Sequence, residues 1–177
     1  MTKRMPKPRN TLKKKPKKRT GPKPTPKGLR QRLDAAFSWY IRLMHSDDKG
    51  MLQCFTCKQR LYWTKADNGH FISRRYYATR WRPDNCRPQC KSCNLYNSGE
   101  QWLFGKYLDQ FYGAGHSERM HEIATKDKNK EPNEEYKKIY IEYYEAKVAA
   151  ILAKRVKTDC RIRGGVPSRI QRRIRLD

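Results

Sequence analysis

Cys54-Phe55-Thr56-Cys57 and, 32 residues further on, Cys90-Lys91-Ser92-Cys93-Asn94 are two C-x-x-C pairs separated by enough chain to fold back on itself. Each pair makes a tight knuckle that sets two sulfurs on one ion at about 2.3 Å. Four thiolates form a closed, structural zinc site with no coordination position left for substrate. The intervening segment is longer than a plain zinc ribbon and has room for an inserted hairpin. It carries Asp67-Asn68-Gly69-His70, and Asn94 follows the last cysteine directly.

Those extra groups suit a second kind of metal chemistry. Hydrolysing a phosphodiester needs a base for water and a cation for the developing charge and the departing oxygen. Neutral imidazole suits the base, with an unperturbed pKa of about 6.5, and His70 stands three residues after Asp67. A carboxylate and an amide oxygen suit Mg²⁺ or Mn²⁺, so Asp67 and Asn94 are the expected ligands of a catalytic ion. Cys54, Cys57, Cys90 and Cys93 are the expected zinc ligands. Cys86 is expected to be a small buried side chain, and Cys160 is left without a role. His45, His116 and His121 are expected at the surface.

The chain has 177 residues, 36% of them apolar, and a formal net charge of +25. That supports one modest core and points to a polyanionic partner, DNA. The charge is uneven: residues 1–32 carry 14 Lys/Arg and no acid, 154–177 carry 9 against 2, and 33–153 hold 19 basic and 15 acidic residues. Basic arms of this kind give salt-sensitive, sequence-independent affinity for phosphates. A membrane span is not expected, since no run approaches 18 apolar residues. The basic N-terminus lacks the apolar segment of a signal peptide. Paired C-x-x-C spacing in such a chain favours metal over disulfides and a reducing compartment. The expected location is the cytoplasm of a bacterial-type cell; a nuclear address in the basic arm is the alternative.

Along the chain, residues 1–32 read as a disordered basic arm, 33–155 as the folded domain and 156–177 as a basic tail, disordered or ordered only on DNA. Leu33, Ala36, Phe37, Tyr40, Ile41 and Met44 recur at helical spacing, and Ser46-Asp47-Asp48-Lys49-Gly50 ends that helix. Residues 52–63 read as strand, knuckle and strand, and 67–73 as a strand or loop. Ser98 is the expected N-cap of a helix with Gln101 in capping-box position, stopped at Gly113-Ala114-Gly115. Ser117 is expected to cap a short helix through Ile123, with 126–130 a charged linker. Pro132 opens a long helix to about Arg155. Its tyrosines 136, 140, 143 and 144 read as core or subunit interface, with base stacking as the alternative. Arg74, Arg75, Arg80 and Arg82 follow His70 among aromatic residues and are expected phosphate contacts.

C-x-x-C, Asp67-x-Gly-His70, Asn85 and Cys90-x-x-Cys93-Asn94 together resemble an HNH, or ββα-metal, nuclease with a four-cysteine zinc support. Asn85-x-x-x-Gln89-Cys90 and Ser98-Gly99 narrow the similarity to the phage recombination proteins of the NinG or Rap family. It runs from about Leu33 to Arg155. The phage recombination endonuclease VII group has a comparable layout. The resemblance implies an α+β fold with a small ββα-metal core flanked by helices. It also implies that His70 is the general base, that Asp67 and Asn94 hold the catalytic ion, and that Asn85 braces the loop carrying His70. The implied activity is metal-dependent cutting of branched DNA, Holliday junctions and recombination intermediates included. The final HNH position is Asn94 rather than His, and the N-terminal arm lacks the extra cysteine cluster of some members. Paired cuts in a two-fold junction imply a homodimer, with the Leu33–Met44 helix or the tyrosine-rich helix as its interface. The rivals are a non-catalytic zinc module that binds DNA and a general HNH nickase.

Overall fold

Leu33, Ala36, Phe37 and Ile41, the apolar stripe of the first helix, are buried in the computed structural model, which describes residues 28–126, 130–155, 166 and 168–173. Helix α1 spans Leu29–Met44 and so starts one turn before the predicted Leu33. Leu29 packs at the edge of the same apolar cluster, which draws residues 29–32 out of the predicted arm and into the fold. Arm residues 1–27, the linker at 127–129 and tail residues 156–165, 167 and 174–177 lie outside the described residues.

Helix α5, Glu134–Arg155, packs against α1. The Asn133 side chain caps it by accepting the Tyr136 N–H at 2.8 Å, so the cap lies just beyond the expected Pro132. Glu134 and Glu135 in the first turn and Lys154 and Arg155 in the last complement the helix dipole. Phe37 meets Tyr144 edge to face at 5.0 Å. Buried Arg155 donates to the carbonyl of Leu43 at 3.1 Å and to Ser46 Oγ at 2.9 Å, so α5 closes the C-terminal end of α1. Because the stripe of α1 is used inside the chain, it is not free to form the dimer interface expected of it. Of the four tyrosines, Tyr144 is core and Tyr143 is exposed.

Two small antiparallel sheets sit beside this pair. Strands β1 (Met51–Gln53) and β2 (Arg60–Tyr62) flank the first knuckle. Strands β3 (Asp67–His70) and β4 (Cys86–Gln89) pair Asp67 with Gln89 and His70 with Cys86. The short helix α2, Tyr77–Arg80, lies between β3 and β4. After the second knuckle come a π-helical turn at Ser92–Tyr96, α3 at Gln101–Tyr112 and α4 at His116–Lys126. Ser98 is not the cap of α3. It has φ 51°, Gly99 and Glu100 also have positive φ, and no side chain caps the helix.

The first turn of α4 is held instead by Asp109, which accepts from the N–H and hydroxyl of Ser117 at 2.7 and 2.8 Å. The core falls into three main apolar clusters, as a modest apolar content requires. Part of the predicted tail belongs to one of them. Val166, and Ile170 of α6 (Ser168–Arg173), pack against Leu43, Leu52, Val148 and Leu152. The chain is thus α+β with helices predominating. Among the described residues no helix is long and apolar enough to cross a membrane.

Candidate metal and nucleic-acid site

The four cysteines come together. Their sulfurs all lie within 4.8 Å of one another, and Cys57 Sγ is 3.7 Å from Cys90 Sγ. Four sulfurs at about 2.3 Å around a tetrahedral ion stand about 3.8 Å apart, so the donor set fits a structural metal such as zinc. Backbone geometry prepares the cluster: Lys58 takes φ 62° to turn the first knuckle, and the Cys93 N–H donates to Cys90 Sγ at 3.5 Å. Burial, and then the neighbouring cysteine sulfurs, push the Cys93 thiol up to about 12. A cation among the sulfurs offsets that crowding. Cys86 is buried, as a small core residue.

The second knuckle delivers Asn94 to the β3–β4 hairpin. The Asn94 N–H donates to the Cys90 carbonyl at 3.0 Å, and its Nδ2 donates to Asp67 Oδ2 at 3.2 Å. Asp67, His70 and Asn94 line one cleft of about 770 Å³. Gly69, between Asp67 and His70, is pressed against Gln89, and any β-carbon there would run into the Gln89 side chain. Gln89 is fully buried and reaches Gly99 O at 2.9 Å and Thr56 Oγ1 at 3.3 Å. One amide therefore ties the first knuckle to the loop before α3, directly under β3.

His70 lies between two carbonyls: Nε2 is 3.1 Å from Arg80 O, and Nδ1 is 3.1 Å from Asn68 O. A neutral imidazole donates only one hydrogen bond. With the proton on Nε2, the Nδ1 lone pair faces an oxygen it cannot bond, and a proton arriving there finds an acceptor waiting. Burial outweighs those carbonyls and draws the ring's pKa down to about 4, with Arg74 and Arg80 adding repulsion. At neutral pH the ring is uncharged.

The Arg80 carbonyl is itself held in place. Arg80 Nε and Nη2 donate to Asp34 of α1 at 2.9 and 2.6 Å, and Trp81 Nε1 donates to the same carboxylate at 2.9 Å. Asn85, fully buried, accepts from Ile72 N–H at 2.8 Å and donates to Ile72 O at 3.1 Å and Thr79 O at 3.0 Å. It joins the chain just after His70 to the end of the loop that returns Arg80.

The four arginines divide into two pairs. Arg74 and Arg75 are exposed, and Arg74 lines the cleft. Arg80 is occupied by Asp34, and Arg82 is paired with Asp84 at 2.7 Å. The latter two brace the loop through carboxylates that offset much of their charge.

Several residues near the site were not foreseen. Asp34 is the lone acidic residue among the first 46, and that isolation was the available signal. Arg42 from α1 donates to Ala66 O at 3.2 Å beside Asp67, and nothing in a helical stripe announces it. Two histidines expected at the surface are drawn inward, His116 fully and His45 halfway. His116 is buried with Nε2 3.0 Å from Asp84 O, and His45 has a buried Nε2. His121 is exposed, set edge-on to Phe71 at 5.3 Å.

A family model described as the bacteriophage lambda NinG protein matches residues 2–154. Neither the curated proteins nor the solved structures contain a match.

Proposed function

The chain belongs to the bacteriophage lambda NinG family, and from that premise we propose that it is a metal-dependent endonuclease of the HNH type that cuts branched DNA during phage recombination. The observation that carries the reading is one cleft lined by Asp67, His70 and Asn94 and braced by a four-cysteine cluster. A purely structural zinc module has no need of a half-buried base set between two carbonyls beside a carboxylate–amide pair.

With Nε2–H held by the Arg80 carbonyl, His70 takes a proton from water at Nδ1. The water oxygen bonds to phosphorus, and the bond from phosphorus to the 3′ oxygen breaks. Solvent protonates the departing oxygen, leaving 5′-phosphate and 3′-hydroxyl ends. Asp67 and Asn94 would hold Mg²⁺ or Mn²⁺, which supplies positive charge to the phosphate and the departing oxygen. For that, Asn94 presents Oδ1, the other end of the amide that now donates to Asp67. Arg74 and Arg75 steer the backbone. A homodimer would place two such clefts on a two-fold junction, in the cytoplasm of the host cell.

The test compares the wild type with His70→Ala on a synthetic four-way junction, a duplex and a single strand, with and without Mg²⁺. The wild type is expected to nick the junction only with the ion, and the variant to lose at least about 100-fold in rate. Equal cutting by both proteins, or no cutting of any DNA form, overturns the assignment. Equal cutting of junction and duplex would leave a general nickase.

A further inference from the structure

Tyr96 is 81% exposed and Trp102 77%, the two most exposed large hydrophobic side chains of the described residues, and each follows in sequence a residue that lines the cleft. Leu95, the neighbour of Tyr96, lines the cleft, as does Gln101, the neighbour of Trp102. Gln101 and Phe71 also line a second, shallower groove of about 890 Å³ on the outer side of α3, in which Trp102 takes part. The two hollows share Phe71 and Gln101 in their walls, and Trp102 lines the outer one. Gly105 extends the groove, since a β-carbon there would press on the Phe71 ring at 2.9 Å.

A bare aromatic on the wall of a groove is a ready surface for a flat ligand. Charge says which kind. Lys106 Nζ sits 5.2 Å over the Trp102 ring, Lys91 lines the adjoining cleft, and the whole chain carries +25. A second copy docked on this face would bring like charge against Lys91 and Lys106, whereas a polyanion with flat apolar rings satisfies both the cations and the aromatic faces. We propose that Tyr96 and Trp102 form a stacking ledge for unpaired bases at a DNA branch point, with Lys91 and Lys106 on the flanking phosphates. Paired duplex keeps its bases stacked on each other and gains nothing from the ledge. The inference rests on the cleft being a DNA site and supplies that site with a reason to favour branches over duplex.

Binding is measured by fluorescence anisotropy at fixed salt without added divalent ion, so that cleavage plays no part. Wild type, Trp102→Ala, Trp102→Phe and Tyr96→Ala are each titrated with a single strand, a junction containing unpaired bases and a plain duplex. Trp102→Ala is expected to weaken single-strand and junction binding on the order of tenfold while changing duplex binding less than about twofold, with Phe restoring most of the loss. Unchanged affinity, or equal loss on all three DNA forms, overturns the proposal. So does sedimentation showing that Trp102→Ala turns a dimer into a monomer, since the ledge would then face a second copy. A wild type that shows this discrimination yet never cuts DNA would remove the nuclease reading and leave the ledge standing.

Discussion

His45 ends helix α1 with its Nε2 buried and no hydrogen-bond partner among the described residues. Burial first, and the charge of Arg87 second, bring its pKa down to about 4. His70, enclosed on the other side of α1, is brought down to about the same value. In the unfolded chain both titrate near 6.5, so the folded state binds their protons less readily. Their contribution to stability is complete above about pH 6.5 and is lost as the pH falls from there through about 4. Melting temperature is therefore expected to fall steeply over that window. His45→Gln, which removes one of the two groups, should melt with a visibly flatter acid limb. If the two proteins show parallel limbs from pH 7 to 4, His45 is not a buried neutral base. Imidazole suits such a position because its neutral form costs little to bury, and periodicity alone places it at a helix end without revealing that one nitrogen is covered.

At the scale of elements, the two knuckles and the β3–β4 hairpin share few apolar contacts. Among the described residues, Cys54, Cys90 and Cys93 form a small cluster with Leu61 at its edge. Metal binding to such a cluster is folding free energy, because the unfolded chain has no preformed site. Cys90→Ser is expected to lower the melting temperature by many degrees and to abolish any activity, and a chelator should reproduce the melting loss in the wild type. His70→Ala should cost activity with a far smaller melting shift. Similar losses in both variants would defeat the division into a supporting and a working metal.

Much of this level was legible in advance. Helical spacing gave α1 and α5, and C-x-x-C spacing gave the sulfur cluster. The loop at Ser98-Gly99-Glu100 was not legible, because three consecutive positive φ values replaced a side-chain cap that Ser98 and Gln101 seemed to offer. The roles of Asp34, Arg80 and Arg87 were hidden for another reason. Arg87 is buried with its Nη2 2.6 Å from Tyr112 Oη and its guanidinium over the Phe111 ring. Partnerships spanning 25 to 47 residues have no local signature.

For the whole molecule, charge separates affinity from selectivity. Residues 1–27 hold 12 Lys/Arg and no acid, while 33–153 hold 19 basic against 15 acidic residues. In the folded part several of those cations are already committed, Arg80 and Arg82 to carboxylates and Arg87 to the Pro83 carbonyl and Tyr112. General attraction to phosphates must therefore come mostly from the N-terminal arm, and preference among DNA forms from the cleft and its borders. Counterion release makes this measurable, since each neutralised phosphate adds about 0.9 to the slope of log affinity against log salt on duplex. If about six arm cations meet phosphates, removing residues 1–27 should flatten that slope by about 5 and weaken binding to junction and duplex alike. The ratio of junction to duplex affinity should stay put, because α1 begins at Leu29 and the cleft is left whole. A truncated chain that keeps the full salt slope would move the attraction into the folded domain, and one that loses its junction preference would give the arm a part in recognising structure.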